Sequence, residues 1–132
     1  MSDLTNITCS PFLGESQTLS KVLTRIEAEP ARVYTDESGG IIAINPAFSY
    51  LCGYTFDEVK GKKPGTFLQG PATTQESINI LRLAIQTGIP CVTEVLNYHK
   101  DMSIYRVQIE LQPWVDESSS IKGFMAIERK LS

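Results

Sequence analysis

The sequence predicts an α+β domain: a five-stranded antiparallel sheet with short helices on one face and a flanking helix at the N-terminus. Three observations point there. In the last third of the chain, Tyr105, Val107, Ile109 and Leu111 alternate with Arg106, Gln108, Glu110 and Gln112, a two-residue period that turns one set toward a core. Near residue 31 two short β-branched runs are joined by a turn-forming segment. Between these regions, short segments are bounded by capping residues, glycines and prolines.

The 132 residues suit one domain with a single core. Residues 1–30 form a flanking segment and residues 31–132 the domain itself. In the first part, a helix begins near Glu15 or Ser16. Its Leu19, Val22, Leu23 and Ile26 make a narrow apolar stripe, and Pro30 ends it. The stripe suits either the domain's own sheet or a second copy of the chain.

Ala31 to Thr35 and Ile41 to Asn45 are the strands of a hairpin, joined by Asp36-Glu37-Ser38-Gly39-Gly40. Pro46 opens a short helix through Leu51, stopped by Gly53. Thr55 and Glu58 have capping-box spacing around one helical turn, and Thr73 with Glu76 repeats it. The helix that follows runs to about Thr87, with Ile78, Leu81 and Ile85 on one face; Gly88 and Pro90 close it. Cys91 to Lys100, Ser103 to Val115 and Ile121 to Leu131 form a meander.

Composition restricts function. A net charge of -3 gives no footprint for nucleic acid, and the run from Lys60 to Lys63 reads as a solvated turn. No apolar run approaches the ~20 residues of a membrane span, and the polar start is no signal peptide. Cys9, Cys52 and Cys91 are odd in number and far apart, which suits reduced thiols in a cytoplasmic protein. With His99 the sole histidine, no histidine-based catalytic pair or multi-histidine metal site can form. No catalytic residue, no metal site and no enzymatic activity are expected. His99 itself reads as a solvated turn residue, and Trp114 as a sheet-surface or partner contact.

Gly61 to Gly70, Gly-Lys-Lys-Pro-Gly-Thr-Phe-Leu-Gln-Gly, is too rich in glycine and proline for a long regular element. Its Phe67, Leu68 and Gln69 suit the wall of a pocket between the sheet and the short helices.

Thr35-Asp36-Glu37-Ser38-Gly39, Asn45-Pro46-Ala47-Phe48, Gly53-Tyr54, Glu58 and Gly61, with Leu96 to Asp101 and Leu111-Gln112-Pro113, resemble a PAS (Per-Arnt-Sim) domain over roughly residues 31 to 131. The resemblance implies a signalling module that senses a small ligand or binds a partner. Phe67-Leu68-Gln69-Gly70 is similar to the flavin-binding light-oxygen-voltage branch. That branch carries Asn-Cys-Arg just before Phe-Leu-Gln, and its cysteine joins the flavin in light. Here the stretch is Lys63-Pro64-Gly65-Thr66, so a covalent photocycle is not expected.

By the resemblance, Gln69 matches the loop glutamine and Asn97 the first of two strand asparagines at the flavin edge. The second asparagine falls at Val107, and the glutamine of the last strand at Glu128. Arg82 matches one of two phosphate-holding arginines, whereas the other position is Thr66. Phe67, Ile109, Leu111 and Phe124 complete the expected pocket. Losing polar contacts to a charged phosphate costs on the order of 1.5–3 kcal/mol each, which weighs against tight FMN binding and leaves FAD open. Haem is not expected, because residues 74 to 87 contain no histidine.

Bland roles compete with these. Gln69 suits backbone groups of its own loop, and Asn97 suits strand backbone near a turn. Val107, Ile109, Leu111 and Phe124 suit the core. Glu128 shares the inward parity of Phe124 and Ala126, yet its place near a strand end favours escape to solvent. The expectation is a cytoplasmic sensory domain that dimerises through the N-terminal helix or the sheet and acts on a downstream signalling protein. Its alternative is a flavin sensor, redox or light, without adduct chemistry. Lys130-Leu131-Ser132 departs from the family's usual Asp-x-Thr linker to an effector, which favours a stand-alone protein.

Overall fold

The computed structural model describes residues 29–132. The expected N-terminal helix, with its stripe from Leu19 to Ile26, lies outside the described residues, as does Cys9. Strands β1 (Ala31–Asp36), β2 (Ile41–Ile44), β3 (Cys91–Tyr98), β4 (Ile104–Val115) and β5 (Ile121–Lys130) build one sheet in the order β2-β1-β5-β4-β3. Every neighbouring pair is antiparallel. Helices α1 (Pro46–Cys52), α2 (Phe56–Val59), α3 (Gly65–Leu68) and α4 (Gln75–Thr87) fill the long connection from β2 to β3.

One amide sets how this connection leaves the hairpin. Asn45 Oδ1 accepts from Phe48 N at 3.0 Å and from Arg32 N at 2.8 Å, while its Nδ2 donates to Pro30 O at 3.0 Å. The N-cap of α1 is therefore also a clamp on β1. Gly53 ends α1 in the left-handed region at φ 84, where glycine is unstrained. The His99 ring packs so closely over it that a Cβ there would collide. His99 is accordingly half-buried and not the freely solvated turn residue expected.

The box at Thr55 and Glu58 is reciprocal as its spacing predicts, at 2.9 and 3.3 Å. Glu58 also contacts Lys100, and Lys100 N donates to Cys52 O at 2.9 Å, tying the β3–β4 hairpin to α1 and α2. The second expected box does not form. Thr74, not Thr73, caps α4, accepting from Ser77 N at 3.2 Å. Thr73 has a tertiary task instead: its hydroxyl donates to Leu96 O at 2.6 Å and accepts from Gly70 N at 3.1 Å. The loop before α4 is thus fastened to β3.

The core lies between the helices and one face of the sheet, with Phe48, Cys52, Val59 and Val107 fully enclosed. The alternation read from β4 is realised: Tyr105, Val107, Ile109 and Leu111 are buried, while Arg106 and Gln112 are exposed. Trp114 is half-buried and donates from Nε1 to Thr35 O at 2.9 Å. It braces β1 across β5 rather than simply lying on the sheet surface.

Candidate ligand cavity

A cavity of about 560 Å³ lies between the inner face of the sheet and α3 and α4, within the ~300–1,000 Å³ of small-molecule sites. Its apolar floor includes Val33, Ile109, Leu111 and Phe124; Leu68 and Leu81 face them from the helical side. Of the residues singled out from the sequence, Gln69, Arg82, Asn97, Ile109, Leu111, Phe124 and Glu128 line it together.

Phe67 and Val107 do not line it. The Phe67 ring meets Tyr54 edge-on, with centroids 5.0 Å apart and planes at 68°, and packs on the core. Val107 is fully buried in the core, paired with Val95 and Lys130.

Gln69 follows α3, and its amide lies back over that turn. A Cβ on Gly65 would meet its Oε1 at 3.1 Å, so the glycine makes room for the amide. Asn97, on β3, is 2 % exposed. Glu128, expected to escape to solvent, is 3 % exposed. The reason is pairing on both sides: β5 continues to Lys130, with Glu128 opposite Ala31 on β1 and Ile109 on β4. The carboxyl is therefore held in the middle of the sheet. Burial pushes its pKa up to about 7, because a charge there loses its hydration.

Glu128 Oε1 is buried with no hydrogen-bond partner among the described residues, while Asn97 Nδ2 and Tyr105 Oη, also buried, lie beside each other without good hydrogen-bond geometry. Buried polar groups are normally paired, and the Glu128 carboxyl oxygen, without a partner, belongs to a residue of the cavity lining. Tyr105 and Cys52 lie close to the Glu128 carboxyl. Burial pushes the Cys52 thiol up to about 11, with the Glu128 carboxylate acting in the same direction. Burial and then Glu128 likewise raise the Tyr105 hydroxyl.

Among the described residues, no cysteine lines the cavity and no cluster could hold a metal ion. No described helix is long and apolar enough to cross a membrane.

Sequence reading missed the mouth. Glu37, Ser38, Gly39 and Lys63 line it because the β1–β2 turn is bound to the loop after α2. Ile41 N donates to Lys62 O at 3.0 Å, and Gly61 N to Ile41 O at 2.9 Å. Nothing local signals that pairing, so Lys63 read as a solvated charge.

A five-stranded antiparallel sheet in this order, carrying short helices over a cavity, defines a small module of the α+β class. The chain belongs to the PAS domain family, whose model matches residues 30–130. Residues of the chain are 31% identical over 98 positions to the bacterioopsin transcriptional activator of Halobacterium salinarum, covering 74% of this chain and 14% of that protein. They are 31% identical over 86 positions to a blue-light-activated histidine kinase of Brucella anthropi, covering 65% of this chain and 17% of the kinase. The chain thus spans a small fraction of the length of these relatives. Among solved structures, the light state of the blue-light photoreceptor Aureochrome1 LOV superposes with a TM-score of 0.74 at 27% identity, covering 87% of this chain and 90% of that one. The chain is a sensory, signal-transduction PAS domain similar to the LOV branch.

Proposed function

We propose that the domain senses a small planar ligand held non-covalently in the cavity and is not itself an enzyme. The observation that carries this is the cavity lined by the buried Asn97 amide and by Glu128, whose Oε1 has no partner among the described residues. Such a ligand would bond to β3 and β5 at once, and to α3 through Gln69. Since β5 lies between β1 and β4, differential contacts there bias the sheet between conformations. The protonated states of Cys52 and Tyr105 support a binding role over a catalytic one.

A flavin is the second reading, favoured by the blue-light relatives. The site fits it in part: Gln69 and Asn97 suit the ring edge, and Arg82 with Lys63 suits a phosphate at the mouth. Glu128 and Val107 offer different chemistry from the family's amides. When bound, a flavin supplies visible-light absorption and redox capacity; the chain's residues orient it.

The test is to denature natively purified protein and identify what it releases by mass spectrometry, then titrate FMN, FAD and a metabolite panel in thermal melts. A ligand at about 100 times its Kd stabilises by roughly 2.7 kcal/mol. A preparation that releases nothing and whose melt responds to none of these would overturn the ligand-sensor reading.

For output, we propose that the apolar stripe of Leu19, Val22, Leu23 and Ile26 pairs two copies of the chain and passes the change to a downstream partner. Removing residues 1–28 is then expected to convert a dimer to a monomer by light scattering. A truncated protein that is still a dimer would rule the stripe out as the dimer contact.

A further inference from the structure

Taking the cavity to be a ligand site, as above, we infer that Glu128 and Asn97 select an aminated N-heterocycle over a flavin. Its inner edge would present N–H groups to Glu128 and a carbonyl or ring nitrogen to Asn97, as the 2-amino-4-oxopyrimidine edge of a pterin or guanine does.

Three features lead there. First, two buried polar groups of opposite polarity line the cavity: Glu128 Oε1 accepts and has no partner among the described residues, and Asn97 Nδ2 donates, with the Tyr105 hydroxyl beside it. Second, burial is the sole cause raising the Glu128 pKa, with no cation offsetting it. The groups facing it from β4 and α1, Tyr105 and Cys52, bring no positive charge. An N–H-rich ligand edge supplies what the carboxylate lacks, and hydrogen bonds to ionised groups are roughly twice as strong as neutral ones. Third, Leu68 and Leu81 face Ile109 and Phe124 across the cavity, a slot suited to a flat ring rather than to an alkyl amine.

A flavin edge is less suited. It sets two carbonyls around one N–H, so its acceptor lone pairs would face the Glu128 carboxylate. Glutamine at this position could donate to such a carbonyl; an ionised glutamate cannot. At the mouth, Lys63 and Arg82, with Glu37 opposing them, leave room for an anionic substituent without requiring one.

The experiment uses the full chain at pH 8, where Glu128 is ionised, and two fluorescent probes without phosphate: 2-amino-4-oxopteridine and riboflavin. Wild type is expected to bind the pteridine about tenfold tighter than riboflavin or better. Glu128→Gln is expected to lose at least about tenfold in pteridine affinity and to gain affinity for riboflavin. Circular dichroism and a melt of the variant keep lost binding distinct from lost folding.

The same pteridine-to-riboflavin ratio in both proteins overturns this inference and leaves the ligand cavity standing. Failure of both probes with both proteins overturns the inference as well. If the mass-spectrometric and thermal tests are also blank, the ligand-site reading falls with it; a ligand found there would keep that reading.

Discussion

Glu128→Gln will stabilise the protein by about 3 kcal/mol at pH 8 and by almost nothing at pH 4. The folded carboxyl titrates at about 7 against an ordinary 4.5, and about 1.4 kcal/mol per unit makes that difference on the order of 3 kcal/mol. The sign follows from proton counts. Between about 4.5 and 7 the folded protein keeps a proton that the unfolded chain has released. Stability therefore falls as pH rises through that window and is level above it.

An amide of the same shape carries no charge to desolvate, so its advantage grows over the same window. Asp36, Glu58, Asp101 and Asp116 titrate below their ordinary values, chiefly through side-chain hydrogen bonds to Ser38, Lys100, Ser103 and Ser118. All act at lower pH, and all are common to both proteins. Urea denaturation of wild type and variant at pH 4, 6 and 8 reads the difference directly. A difference that does not change with pH would show that Glu128 is hydrated or paired in the folded protein.

This cost gives the cavity a thermodynamic role. A carboxylate held in a sheet at a loss is a standing reason for a ligand that offers N–H donors to bind. Such a ligand would restore the favourable environment that folding removed. Under the proposed function, ligand recognition and the pH profile of the free domain would be two readings of one buried group.

Much of the fold was legible because its signals are local. The two-residue period of β4, the reciprocal box at Thr55 and Glu58, and Gly53 and Gly88 as helix ends each depend on a few neighbouring residues. Part of the cavity lining was legible through parity, and part, at Gln69, Arg82 and Asn97, through the likeness to PAS sequences. Ile109, Leu111 and Phe124 lie on the inner face, as alternation requires. Long-range pairing decided the rest. Glu128 is buried because β1 and β4 continue beside it, not because of its own neighbours. Lys63 reaches the mouth through the hydrogen bonds between Ile41 and residues 61–62. Thr73 holds β3 because a tertiary acceptor, Leu96 O, outcompetes the capping role its sequence spacing offered.

The severest single substitution expected is Gly123→Ala, at about 4 kcal/mol or more, in the rare class of point changes. Gly123 stands on β5 between Asp36 of β1 and Trp114 of β4, with φ 155. A Cβ there would land on the Thr35 carbonyl oxygen and 2.6 Å from Trp114 Nε1. Neither can yield cheaply: Trp114 Nε1 donates to that same oxygen, and Thr35 Oγ1 accepts from Phe124 N at 3.3 Å. Thr35 and Phe124 both line the cavity, so the strand shift that relieves the clash would also disturb the cavity wall. Gly61→Ala is the comparator. It too has a positive φ, 76, but open space where the Cβ would go, so its cost is only the backbone preference, about 1–2 kcal/mol. Urea unfolding followed by emission of Trp114, the sole tryptophan, measures both. If Gly123→Ala unfolds no earlier than Gly61→Ala, the close crossing of β1, β5 and Trp114 does not exist in solution.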